Sequence, residues 1–384
     1  MKPTLLPSPA DYPANRLFAL DLLRGIDMFY LAVVSAAVAP LCAAFGLSPA
    51  WKTFLVTHPW EGFTLYDLIM PLFIFMCGAA VPFGLGRRLG PDGRPGPGYW
   101  RHVLSRVLLL WVLGLLAQGG LETFDIHTIG FFNNTLQTIA VGYAAAAVVF
   151  PVRKAAVRVA VPLALLVGYG LLIHFGGDYT KDGNLSQRFD LAFWGALLPA
   201  DNVMLARIRQ NGYSWILPSA MYATMTLAGC YASELLVSKR LAAGRKAALL
   251  AGAGALSLGL GWLLVFCGVK SVKHIFTVSF TLQAIGWSAL ALAVCYVVAD
   301  IWKLRRGTGL LLLFGQFALA AYLCESIFRK ACYVVGERLF AGLIQAPPKP
   351  WPSVLSAVSY GLVVIVALVI WRGFKLSRDV RRAT

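Results

Sequence analysis

Residues 66–86 read YDLIMPLFIFMCGAAVPFGLG, and after Asp67 no charged side chain interrupts the run until Arg87. An α-helix rises about 1.5 Å per residue, so about 20 apolar residues cross the roughly 30 Å hydrocarbon core of a bilayer. This run therefore predicts a transmembrane helix, and the arginines Arg87 and Arg88 that close it predict a cytoplasmic end. Working outward, comparable segments fall near residues 26–46, 103–119, 135–151, 156–176, 214–237, 247–268, 274–298, 309–328 and 352–373. The expected fold is all-α: a polytopic membrane helix bundle of about ten transmembrane helices, with residues 1–384 forming one domain.

Composition agrees with that reading. Of 384 residues, 59% are hydrophobic and 13% charged, whereas a soluble chain carries roughly 25% charged residues. The formal net charge of +17 does not point to nucleic acid, because Lys and Arg sit in short runs between apolar segments. They concentrate at every second connection: Arg87 through Arg101, Arg153 and Lys154, Lys239 through Lys246, Lys303 through Arg306, and Arg372 through Arg382. That alternation predicts a multi-pass protein of a bacterial inner membrane with both termini cytoplasmic. The basic face would attract anionic lipid. The longest outer connection, residues 177–213, predicts a small extracytoplasmic loop, and residues 121–133 are polar enough to be re-entrant. The Pro-rich, polar N-terminus shows no cleavable signal peptide, so the first apolar segment is expected to act as an uncleaved anchor. Seven cysteines without a C-x-x-C pair read as buried small hydrophobes. His102, His127, His174 and His274 are scattered without ligand spacing, and no metal is expected. The small-residue pairs give no clear dimer face, so a homodimer stays open.

Ionisable groups at membrane depth cost several kcal/mol unless paired or hydrated, which makes each a functional candidate. Asp21, Arg24 and Asp27 recur every third residue and would share one helix face as an ion-paired ladder. They either anchor the helix end or, together with Arg16, present a positive centre to phosphate groups. The second cluster is THPWEGFTLYD, Thr57–Asp67, on the expected outer side. Pro59 and Trp60 would stiffen His58 and limit its water access, and Asp67 begins a span where a carboxylate needs a partner. A histidine beside a carboxylate suits a general base or a transient acyl acceptor at neutral pH. Asn133, Asn134 and Gln137 open the fourth segment, while Gln283, Gln316 and Glu325 lie in later ones.

Two motifs carry a resemblance. RLFALDLLRGIDMF, residues 16–29, and H-x-W-x-GFT-x-x-DLI-x-PLFIF-x-x-G, residues 58–78, are similar to the N-terminal signatures of the heparan-alpha-glucosaminide N-acetyltransferase family, in its bacterial branch. Weaker echoes are Leu136-Gln137 with Tyr143, Gly183-Asn184-Leu185 with Asp190, and Leu217-Pro218-Ser219-Ala220. The resemblance implies an acyltransferase that takes an acetyl group from cytoplasmic acetyl-CoA and delivers it to an amino sugar or cell-envelope glycan outside. It implies that His58 is catalytic, either acetylated itself or acting as a base. Asp67 or Glu61 would fix its tautomer. Arg24, Asp21 and Arg16 would serve the acetyl-CoA cosubstrate. Trp60, Asn134 and Gln137 would lie on the substrate side, the last two as oxyanion donors. A transporter of a sugar or lipid-linked intermediate, with membrane carboxylates relaying protons, is the competing reading.

Overall fold

The computed structural model describes residues 6–7, 12, 17–118, 121 and 124–383. Among these residues the chain is helical throughout and contains no strand; one isolated antiparallel bridge, Leu89 to Pro95, closes the loop after Arg88. The protein is an all-α membrane helix bundle. Seven helices are long and apolar enough to span: Phe18–Ala44, Leu65–Arg88, Pro97–Ala117, Ala155–Gly176, Ala243–Phe266, Val278–Ile301 and Trp351–Arg378. An eighth span results if Gly309–Gln316 and Ala318–Ser326, bent by 78° at Phe317, count as one. Two further segments fold as helices of another kind. Thr135–Val149 has 15 residues, about 22 Å of helix and short of the hydrocarbon core. Ser219–Val237 carries Thr224, Thr226, Ser233 and Glu234 and buries most of its length. Both bury most of their residues inside the bundle.

Lipid contact is visible in the exposure pattern. Only 11% of the apolar window of Ala155–Gly176 is buried, and Val159, Leu163, Val167 and Leu171 stand exposed at four-residue spacing. Leu104, Leu108 and Val112 repeat this on Pro97–Ala117, and Leu256, Leu260 and Leu263 on Ala243–Phe266. Water would not tolerate apolar stripes of that size, whereas hydrocarbon solvates them. Leu65–Arg88, with 56% of its window buried, is by contrast an inner helix.

The chain forms two compact units. The first comprises residues 1–57, 64–66 and 295–384. Its defining contact is a backbone-to-backbone crossing. A Cβ on Gly25 would run into the Leu311 carbonyl, and one on Gly315 into the Asp21 carbonyl. Without a hydrophobic drive between helices in lipid, such close approach of small residues is what supplies packing energy. The first helix widens into a π-turn at Tyr30–Val34 and contains Pro40. Its N-terminus is capped from afar, the Ala19 amide donating to Asp300 at 2.8 Å. The expected ladder on this helix is half formed. Arg24 pairs with Asp21 at 3.0 Å, and the Tyr12 hydroxyl donates to the same carboxylate at 2.7 Å. Asp27 does not join, and its buried Oδ2 has no hydrogen-bond partner. Arg16 lies outside the described residues.

The second unit comprises residues 58–63 and 67–294. Here the reciprocal glycines are Gly78 and Gly229, whose Cβ atoms would strike the backbones of Thr226 and Phe75. Gly142 packs against Tyr222 and Thr226 in the same way. The connection over residues 177–213 is a folded cap of two short helices, Leu185–Gly195 and Val203–Asn211, whose first turns are held by the Asn184 and Asn202 side chains. Asn202 also ties down the turns near Ile129, and the Val203 amide donates to the His127 carbonyl at 2.8 Å. This scaffold frames the polar cluster described next.

Candidate active site around His58, Asp67 and Lys273

Three segments of the second unit converge on His58. The first is residues 58–63, which follow the end of helix Pro49–Val56 and turn through Gly62 at φ +109°. The Gly62 amide then donates to the Ser271 carbonyl at 2.9 Å, stitching this loop to the second segment. The second is residues 270–277, a tight turn closed by the Thr277 amide on Val272 O at 3.1 Å and by Ser271 Oγ donating to Gln283 at 2.7 Å. That turn delays the start of the next helix to Val278, so residues 274–277, expected within a span, lie outside it. The third is Asp67, in the first turn of Leu65–Gly84.

Asp67 Oδ1 lies 2.7 Å from His58 Nδ1. A carboxylate only accepts, so Nδ1 carries the proton and the basic lone pair sits on Nε2; the tautomer is assigned from this chemistry. Lys273 Nζ completes the triangle, 3.4 Å from Asp67 Oδ1, 2.9 Å from Nδ1 and 3.4 Å from Nε2. The Asp67 and Lys273 side chains are 1% and 4% exposed, and that of His58 28%. Burial and the Lys273 charge both hold the His58 pKa below the ordinary histidine value, outweighing the pull of Asp67. Burial likewise lowers the Lys273 ammonium to about 8 despite Asp67. At neutral pH the site therefore holds a neutral, oriented imidazole beside a cation.

Aromatic groups wall the site. The Trp60 ring stacks on His274 with centroids 4.9 Å apart, and its Nε1 donates to Tyr179 O at 2.8 Å. Tyr213 packs on the other side of His274 at 4.2 Å. Gly212, at φ +74°, is needed twice over, because a Cβ there would strike the Trp60 ring. Burial lowers the His274 pKa to about 4, helped by the charges of His58 and Lys273, and its Nδ1 has no hydrogen-bond partner. The neutral His274 ring is thus a polar wall with an open acceptor or donor atom.

The expected site residues divide sharply. His58, Asp67 and Trp60 come together. Of the two carboxylates expected to orient His58, it is Asp67 that does so; Glu61 pairs instead with Lys270 at 2.6 Å, both about half exposed. Asn134 and Gln137 are engaged in local structure. They form a capping box on Thr135–Val149, with Gln137 Nε2 donating to Phe131 O at 2.8 Å and its Oε1 accepting from the Asn133 and Asn134 amides. Arg24 and Asp21 belong to the first unit and pair with each other.

Lys273, His274 and Tyr213 are additions that sequence reasoning missed. One signal was present: Lys270 and Lys273 fall in a connection that the charge alternation assigns to the outer side, where lysines are sparse. Each has an acidic partner in residues 61–67. Neither protein-family models nor curated proteins match this chain.

Proposed function

We propose that this protein is a membrane acyltransferase in which His58 carries or activates an acyl group derived from a coenzyme-A thioester. The observation that carries this reading is the His58–Asp67–Lys273 triangle: a neutral imidazole with its lone pair set on Nε2 by a buried carboxylate, and a buried ammonium within 3.4 Å of that atom. Asp67 is a positioning residue, holding the tautomer and stabilising the imidazolium that forms. Nε2 attacks the thioester carbonyl, the carbon–sulfur bond breaks, and the acyl group rests on the ring. Lys273 is placed to meet the oxyanion that develops on the carbonyl oxygen, the role first sought in Asn134 and Gln137. An acceptor nucleophile then takes the acyl group, and the proton it loses passes through the freed Nε2 to the departed coenzyme A thiolate, which restores the neutral imidazole.

The N-terminal resemblance supports acetyl-CoA as donor and an amino sugar or envelope glycan as acceptor. The aromatic rings of Trp60 and Tyr213 suit the apolar face of a sugar. The alternation of basic connections supports placing His58 outside and both termini in the cytoplasm of an inner membrane. Transport is the second reading, favoured by one observation: the buried Asp27 Oδ2, which has no hydrogen-bond partner. Glu325, its natural companion in a proton path, is instead paired with Arg329 at 2.7 Å.

Sided proteoliposomes separate the two. With acetyl-CoA at the face bearing the basic connections and glucosamine at the other, acyl transfer predicts N-acetylglucosamine formation that His58→Ala abolishes. Glucosamine crossing unchanged, with acetyl-CoA intact, would establish transport instead.

A further inference from the structure

Lys273 is more than a charge. It is a primary amine held against the ring that would carry the acyl group, 2.9 Å from Nδ1 and 3.4 Å from Nε2, with a side chain 4% exposed. The charged and titratable groups around it are few. Asp67 faces it at 3.4 Å and His58 at the distances given. His274 follows it on the same turn, under the influence of Lys181, and the Lys270–Glu61 pair lies on the same connection. Asp67 contacts it directly and is shared with His58. Burial outweighs it, so the ammonium gives up its proton near pH 8, well before an ordinary lysine.

We propose that Lys273 is a self-acylation site: when no acceptor occupies the pocket, acyl-His58 passes its acyl group to Lys273 Nζ and leaves a permanent N-acyl-lysine. The inference rests on reading His58 as the acyl carrier. In the step, neutral Nζ attacks the carbonyl carbon of the acyl-imidazolium and the carbon–Nζ bond forms. The carbon–Nε2 bond breaks, and the proton lost by Nζ goes to the released Nε2. The product is an amide beside an imidazolium held by Asp67. An acyl-imidazole is labile and an amide is not, so the transfer runs one way. It also removes the cation that faces the oxyanion, so each such event silences one molecule. The same lysine is thereby an electrophilic aid when protonated and a trap when neutral. The site must keep it protonated, or keep an acceptor bound, to go on turning over.

The test uses full-length protein in detergent, incubated with isotopically labelled acetyl-CoA without acceptor at neutral and at mildly alkaline pH. Peptide mass spectrometry then locates the label before and after hydroxylamine, which strips acyl-histidine and spares the amide. The expected result is a labile label on His58 that precedes a stable label on Lys273, the second accumulating faster at alkaline pH. Because hydroxylamine also cleaves the thioester, it is added only after acetyl-CoA has been removed from the labelled wild-type protein, where it should strip acyl-His58 and stop any later rise of the Lys273 label. That arm is independent of whether a variant folds. In His58→Ala the Lys273 label should drop roughly a hundredfold. Equal labelling of Lys273 in His58→Ala, or a Lys273 label that rises no further once acetyl-CoA is removed while His58 still carries label, would mean direct attack on the thioester and would overturn the relay. Label that stays on His58 and never reaches Lys273 would overturn the proposal while leaving the carrier role intact. Absence of label from both residues would remove the carrier reading and the proposal with it.

Discussion

At the scale of the residue, the site is a buried anion and a buried cation sharing one imidazole. Removing one partner of a buried ion pair strands the other, at a cost of about 3–5 kcal/mol. Asp67→Asn is therefore expected to lower both stability and turnover, the latter by roughly 10²–10⁴-fold, because Nδ1 loses the acceptor that sets its tautomer. Adding Lys273→Met to Asp67→Asn should restore the melting temperature without restoring turnover; recovery of both would make the triangle merely structural. A pH profile gives a second check. Below its lowered pKa His58 is neutral no longer, so kcat/KM should fall on an acid limb lying under the ordinary histidine value. As Lys273 loses its charge, an alkaline limb should follow near 8. In Lys273→Arg the alkaline limb should vanish. The His58–Asp67 half of this arrangement was legible in the sequence, because the two residues share one helix entry and a carboxylate at that depth demands a partner. Lys273 was not, since its contact with Asp67 exists only once two distant connections meet on the same side.

At the scale of the element, helix crossings here depend on absent side chains. Gly78 and Gly229 let Leu65–Gly84 and Ser219–Val237 touch backbone to backbone. Ala at Gly78 must push the Thr226 backbone aside, and overpacking of this kind costs about 1–3 kcal/mol. Because Asp67 stands on the same helix, we expect Gly78→Ala to lower turnover along with the melting temperature, while Gly84→Ala, with open space around it, changes neither. Apolar segments announce themselves in a sequence; which of their glycines are crossing points does not, since Gly84 and Gly78 look alike until the partner helix is in place. The cap offers a pH test of its own. Asp190, buried, accepts the Trp215 and Ile216 amides at 2.7 and 3.3 Å, and burial raises its pKa to about 7. A carboxyl whose folded pKa is raised stabilises fully below its unfolded value near 4 and progressively less as pH rises through about 7. Relative to Asp190→Asn, the wild-type melting temperature should fall across that window and level off above it. Parallel curves would show that Asp190 does not titrate there.

At the scale of the whole molecule, lipid replaces water as the solvent, and this is why so much was readable. A chain that must satisfy its backbone without water can only be helical, and its spans must be long and apolar. The exceptions are Thr135–Val149 and Ser219–Val237, which bury most of their residues inside the bundle, so that length and apolarity are relaxed. Orientation is a separate matter and has a native reporter. Cys267 is exposed, at the end of Ala243–Phe266 and in the connection that leads to Lys273. A membrane-impermeant maleimide should label it in spheroplasts and fail to label Cys267→Ser; labelling only after lysis would invert the topology. The central claim is that His58 handles an acyl group, and rapid quenching of the purified protein with radiolabelled acetyl-CoA, followed by a chase with glucosamine, tests it most directly. Hydroxylamine-labile label is expected on His58, and the chase should move it onto the sugar. Bound acetyl-CoA that is never cleaved, with label on neither protein nor sugar, would contradict it.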